Sequence, residues 1–174
     1  MIETPALWVA IAAMVPLMLY TAWSDVTELR IPNWIPLAAL GIYCVIGLWG
    51  LPFELFLWGL GAGFGVLAFF FALYALLDML GAGGNIGGGD VKLISALVPF
   101  ISWHDALVVL VIYTVSVIAL AIVFTVLWRR NAASSWASLQ QQGRRYRRKT
   151  APMGVSIAAT MIAYLCVLGY RAAT

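Results

Sequence analysis

Charge is scarce in this chain. Only 10% of its 174 residues are charged, and seven side chains carry a carboxylate. Histidine is nearly absent, with His104 alone, and the two cysteines, Cys44 and Cys166, sit inside apolar runs without CxxC spacing. That pattern argues against a zinc site or a disulfide and leaves the cysteines as packing residues. No metal and no cofactor is expected. A nucleotide loop is missing as well. Gly81-Ala82-Gly83 opens a GxGxxG, but Ile86 takes the place of its last glycine, and there is no GK[ST].

What the chain has in abundance is hydrophobic side chain, 64% of all residues, and a mean hydropathy of +0.98. Such values lie outside the soluble range and place the protein in a membrane. The length suits one membrane-embedded domain, 1–174, of all-α polytopic architecture. Six transmembrane helices are expected at about 7–24, 34–50, 53–80, 91–103, 105–128 and 153–170. The fourth is short for a bilayer core of about 30 Å. No cleavable signal peptide is expected, since the N-terminus lacks a basic region and its first apolar run leads straight to Asp25.

The basic residues orient these spans. With the N-terminus outside, Arg30, Lys92 and the seven basic residues of 129–150 fall on the cytoplasmic side, and Arg171 alone falls outside. The cluster from Arg144 to Lys149 abuts a span and suits anionic lipid headgroups, at about 1 kcal/mol per residue, better than nucleic acid. Trp23, Trp34, Trp103 and Trp128 fall at span ends as interfacial anchors.

Two of the few carboxylates then stand out. Asp25 ends the first span and Asp90 opens the fourth, so both belong to the cytoplasmic face. An ionisable group near membrane depth is costly and marks a functional site by default. Two carboxylates close together cannot both ionise, so one keeps a proton and a water can be held between them. The pair would be catalytic, with no metal, serine or cysteine needed, and His104 falls on the opposite side. The run Gly87-Gly88-Gly89 before Asp90 lacks Cβ atoms and can admit positive φ and an extended substrate backbone. Gly87, Gly88, Gly89 and Lys92 are therefore candidate substrate-binding residues, as is Asp78, which could attract a basic peptide. Asp78 is also readable as a solvated helix end, and Lys92 as a positive-inside anchor. Gly59, Gly61, Gly63 and Gly65 make overlapping GxxxG spacings suited to close helix packing.

Asp25 ahead of Ile31-Pro32-Asn33, with Gly87-Gly88-Gly89-Asp90-Val91-Lys92-Leu93 and the late Ala151-Pro152-Met153-Gly154-Val155, resembles the type IV prepilin peptidases, which are GxGD-type membrane aspartic proteases. Presenilin-like proteins share GxGD, but their first aspartate follows a tyrosine, and here Ser24 precedes Asp25. The resemblance implies removal of a basic leader from prepilins or pseudopilins at the cytoplasmic face of the bacterial inner membrane. The family's bifunctional members carry paired CxxC motifs and methylate their products. None is found here, so the resemblance is to the short peptidase-only form of tight-adherence (Flp) pilus systems, without methyltransferase activity. The alternative on the residues alone is a transporter or assembly component using the two aspartates as a proton relay.

Overall fold

The computed structural model describes residues 4–28, 30–80, 87–129 and 153–174. The glycine run at 81–86 and the basic stretch at 130–150, which carry part of the expected loop and topology, lie outside the described residues. Every regular element among the described residues is helical: α1 (Thr4–Glu28), α2 (Trp34–Gly50), α3 (Phe53–Met79), α4 (Gly88–Leu97), α5 (Ala106–Arg129) and α6 (Met153–Ala173), with 3-10 turns at Val98–Phe100 and Trp103–Asp105. α1, α3, α5 and α6 are long and apolar enough to cross a membrane, and α2 is a shorter apolar helix. At 1.5 Å per residue the ten residues of α4 span only about 15 Å.

Two helices differ most from the bounds expected of the sequence, α1 at its end and α4 at both ends. α1 does not stop at Ser24 but continues to Glu28, so Asp25 lies in its last turn rather than beyond it. Thr27 makes this possible by bonding its hydroxyl back to the Trp23 carbonyl at 2.8 Å, a polar side chain satisfied within the helix. α4 begins at Gly88, so Gly88, Gly89 and Asp90 are its first turn rather than the end of a loop. It ends at Leu97, because Pro99 has no N–H to give to the carbonyl of residue 95.

α1, α2, α4 and α6 form the core. Met14, Met18, Ile35, Tyr43, Leu93, Met161, Tyr164 and Leu165 are buried there. α3 packs on α2 and α4, and α5 on α6, and both show the membrane large apolar side chains such as Trp58, Phe69, Leu107 and Ile118. Chain-wide apolar exposure of this kind suits lipid, because a bundle in a bilayer gains little by hiding hydrocarbon. Close approach at small residues holds it instead. A Cβ on Gly63 would stand 2.7 Å from the Ser95 carbonyl oxygen. Gly59 lies against Tyr43 in the same way, but Gly61 and Gly65 face open space. Only half of the expected glycine stripe packs.

The far end of the bundle has its own lock. Arg171 of α6 pairs with Asp105 at 2.8 Å, and the Tyr164 hydroxyl donates to Asp105 at 3.2 Å while accepting the Ser102 N–H at 3.2 Å. Arg171 and the Trp103–Asp105 turn thus share one end, opposite to Asp25.

Candidate active site

Asp25 is only 6% exposed, although it sits three residues from the end of α1. α6 covers it. Gly154 and Val155 are the second and third residues of that helix, where N–H groups have no partner within the helix. Both amides approach the Asp25 carboxylate. The approach depends on a missing side chain: a Cβ on Gly154 would stand 2.8 Å from Asp25 Oδ2, 2.9 Å from Cγ and 3.1 Å from Cβ. Asp25 Oδ2 itself has no hydrogen-bond partner among the described residues. A buried carboxylate oxygen left in that condition is costly unless chemistry uses it.

Asp90 reaches the same place from α4. It is half-buried, third in its helix, where a negative side chain meets the unpaired N–H groups of the first turn. Its carboxyl is pushed up to about 6, first by burial and then by the charge of Asp25. The second cause places Asp90 within reach of the Asp25 charge, in keeping with the packing of Gly89 on the Ile31 turn that follows α1.

The glycines around Asp90 do different jobs. Gly87 precedes α4 with φ −61° and ψ 101°, an ordinary extended conformation, so positive φ is not what glycine provides there. It provides room, since a Cβ at Gly87 would run into the Asp90 carboxylate. At Gly88 a Cβ would meet nothing within 4 Å among the described residues outside its own helix. Gly89 lies against the turn after α1, where a Cβ would come 3.3 Å from the Ile31 Cβ. Lys92 is exposed and gives its ammonium to Asn33 Oδ1 at 3.1 Å. Asp78 stands exposed in the last turn of α3, and none of the described contacts joins it to the two acids.

Gly154 and Val155 are not among the candidate site residues that the sequence suggests, although they belong to the Ala151–Val155 element of the resemblance. A glycine at the second position of an otherwise apolar helix was the available signal. Among the described residues no cluster of His, Cys, Asp and Glu could hold a metal.

A family model described as the type IV leader peptidase family matches residues 12–128, well over half of the chain. The chain belongs to the type IV leader peptidase family. Membership makes it a protease of the leader-peptidase type, and members of this family act on prepilin substrates in general. The matched region of this leader peptidase holds both acids, the Ile31–Asn33 turn and α4, and ends before α6. Comparison with curated proteins and with solved structures gives no match.

Proposed function

We propose that this leader peptidase is an aspartic endopeptidase whose catalytic groups are Asp25 and Asp90, and that it cuts the basic leader from prepilins or pseudopilins at the cytoplasmic face of the bacterial inner membrane. The observation that carries the reading is the convergence of buried Asp25 from α1 and half-buried Asp90 from α4, with the Ile31 turn after α1 packed on Gly89 beside Asp90 and the charge of Asp25 reaching Asp90. Asp25 Oδ2, which has no hydrogen-bond partner among the described residues, supports it further.

In this reaction the pair shares one proton and holds a water. The ionised carboxylate takes a proton from that water as its oxygen attacks the scissile carbonyl carbon. The protonated carboxyl hydrogen-bonds to the carbonyl oxygen and gives up its proton as the tetrahedral intermediate forms. Collapse breaks the C–N bond and returns a proton to the leaving amine. Asp90, with its raised carboxyl, is suited to hold the shared proton. The Gly154 and Val155 amides give Asp25 donors that an apolar bundle otherwise lacks. Gly88 leaves room beside Asp90 for the substrate backbone while Gly87 and Gly89 let Asp90 and Ile31 approach, and Asp78 would offer its charge to a basic leader. The nine basic residues on one side of the expected topology support a cytoplasmic site, and the lack of CxxC motifs supports a peptidase-only form of the tight-adherence pilus type.

Cleavage of a prepilin by the wild type and by Asp25→Asn and Asp90→Asn tests the assignment. Each variant should insert normally and lose processing, and the double variant should be no worse than either single one, because residues acting as a unit are not additive. Substantial cleavage by Asp25→Asn would remove it from the reaction.

A further inference from the structure

The segment Arg30 to Asn33 is tied to both halves of the site, through Arg30 to α1 and through Ile31 and Asn33 to α4, yet the reaction above gives it no chemical task. On one side the turn is tied to α1 beside the first acid: the Ser24 hydroxyl donates to the Arg30 carbonyl at 3.0 Å, and Ser24 is the neighbour of Asp25. On the other side it is gripped by α4 around the second acid. Gly89 meets Ile31, and Lys92 donates to Asn33 Oδ1 at 3.1 Å. Positions three apart on a helix share a face, so residues 89 and 92 form one docking face of the first α4 turn. Asp90 stands next to that face.

Asn33 has an alternative use that it does not take. It occupies the position before α2, where asparagine commonly bonds the free N–H groups of the helix that follows. Here its side chain makes no such bond, and its oxygen accepts from Lys92 instead. Lys92 is likewise poorly placed to act on Asp90 directly. Residues two apart on a helix do not face each other, and the Lys92 ammonium is turned to Asn33 instead.

We infer that Lys92 and Asn33 are positioning residues, whose hydrogen bond locks the Ile31–Asn33 turn to α4 and thereby sets the separation of Asp25 and Asp90. The inference rests on the aspartic reading above. It replaces the expectation that Lys92 contacts substrate, and it gives both sequence elements one joint role. Ile31 fills the contact that Gly89 leaves, and Asn33 and Lys92 close it from outside.

The test is a double-mutant cycle in the full chain, purified in detergent and supplied with a prepilin. Lys92→Met keeps the apolar stem and removes the donor, and Asn33→Ala removes the acceptor. Both sites are exposed, so folding should survive. A lost tie should lower kcat by on the order of 10-fold, in line with the sensitivity of catalysis to sub-ångström placement, and leave KM unchanged. The double variant should be no worse than either single one. Asn33→Asp, which keeps an oxygen for the ammonium, should recover most of the kcat lost in Asn33→Ala. A raised KM at unchanged kcat in Lys92→Met, with Asn33→Ala neutral, would mean that Lys92 meets the substrate and would overturn the inference. Fully additive losses would overturn it too. Melting temperatures of the same four proteins separate this idea from the functional reading. If the wild type cuts no prepilin, the aspartic reading fails, and the tie is then judged by whether its melting shifts are coupled, which supports it, or additive, which refutes it.

Discussion

Replacing Gly154 by alanine adds one carbon atom at the most sensitive contact of the site. That carbon would arrive 2.8 Å from Asp25 Oδ2 and 2.9 Å from its Cγ, whereas ordinary contacts begin at 3.4 Å. The carboxylate must therefore retreat by 0.6 Å, or the start of α6 must move away from it by as much. Rotation of Asp25 offers no escape, because its own Cβ would also be only 3.1 Å from the new atom. A misplacement of about 1 Å can cost roughly 100-fold in rate, so a loss between about 10- and 100-fold in kcat/KM is expected. Stability should change much less. Alanine gains up to about 1 kcal/mol over glycine inside a helix, which offsets part of an overpacking cost of roughly 1–3 kcal/mol. Prepilin cleavage measured beside a thermal melt reads both effects, with Gly61→Ala as control because that position faces open space. Wild-type turnover in Gly154→Ala would refute the idea that α6 seats Asp25, and an equal fall in Gly61→Ala would point to general damage.

Cleavage should decline as pH is raised through the Asp90 value of about 6, because the second carboxyl then ionises and no proton remains to share. Asp25→Asn removes the like charge that contributes to this shift, so the carboxyl band of Asp90 followed by infrared titration should move to lower pH; an unchanged or higher midpoint contradicts the pairing. Gly63→Val should lower melting temperature and yield, since its side chain would meet the Ser95 carbonyl and the Pro99 ring, and Gly61→Val should not; equal melts for the two would show that α3 does not pack through Gly63. Tyr164→Phe should destabilise the protein by about 1–2 kcal/mol, because Ser102 N–H and Asp105 both lose a partner, with cleavage by the folded fraction retained.

The helical segments were legible because hydropathy reports them directly, and each expected span has a helical counterpart, although the fourth stops at Leu97 rather than near Trp103. The misjudged ends share one cause. Charge and glycine look like loop in a sequence, but Asp25 continues α1 into a turn whose hydroxyl groups bond backward, and Gly88-Gly89 start α4 because Asp90 suits the free N–H groups there. The two acids were legible for a different reason, since a carboxylate is rare enough in this composition to be conspicuous. Gly154 was not conspicuous. Its importance lies in what a side chain would hit, and the atom it would hit is 129 residues away in sequence. The Lys92–Asn33 bond was hidden in the same way, between two motifs that sequence could rank only separately.

The three informative glycines differ in the kind of atom that faces them, and that difference decides what each substitution should do. Gly63 faces a backbone carbonyl of α4, so added bulk there forces two helices apart and is felt throughout the bundle. Gly89 faces Ile31, a side chain that can give by a few tenths of an ångström, so alanine should be tolerated there better than a β-branched residue. Gly154 faces a catalytic candidate, and the strain of a larger residue falls on the carboxylate itself. Helices in lipid associate by close packing rather than by hiding hydrocarbon, so in such a bundle the contacts that hold the fold and the contacts that aim the acids are both made by small residues, but at different positions. A substitution series of Ala, Ser and Val at these three positions should therefore separate into distinct responses. At Gly63 yield and turnover should fall together. At Gly154 turnover should fall while the protein still accumulates in the membrane. At Gly89 turnover should fall with Val and hold with Ala. Parallel loss of yield and turnover at all three would mean that packing alone explains them, and the active-site role of Gly154 would have to be abandoned.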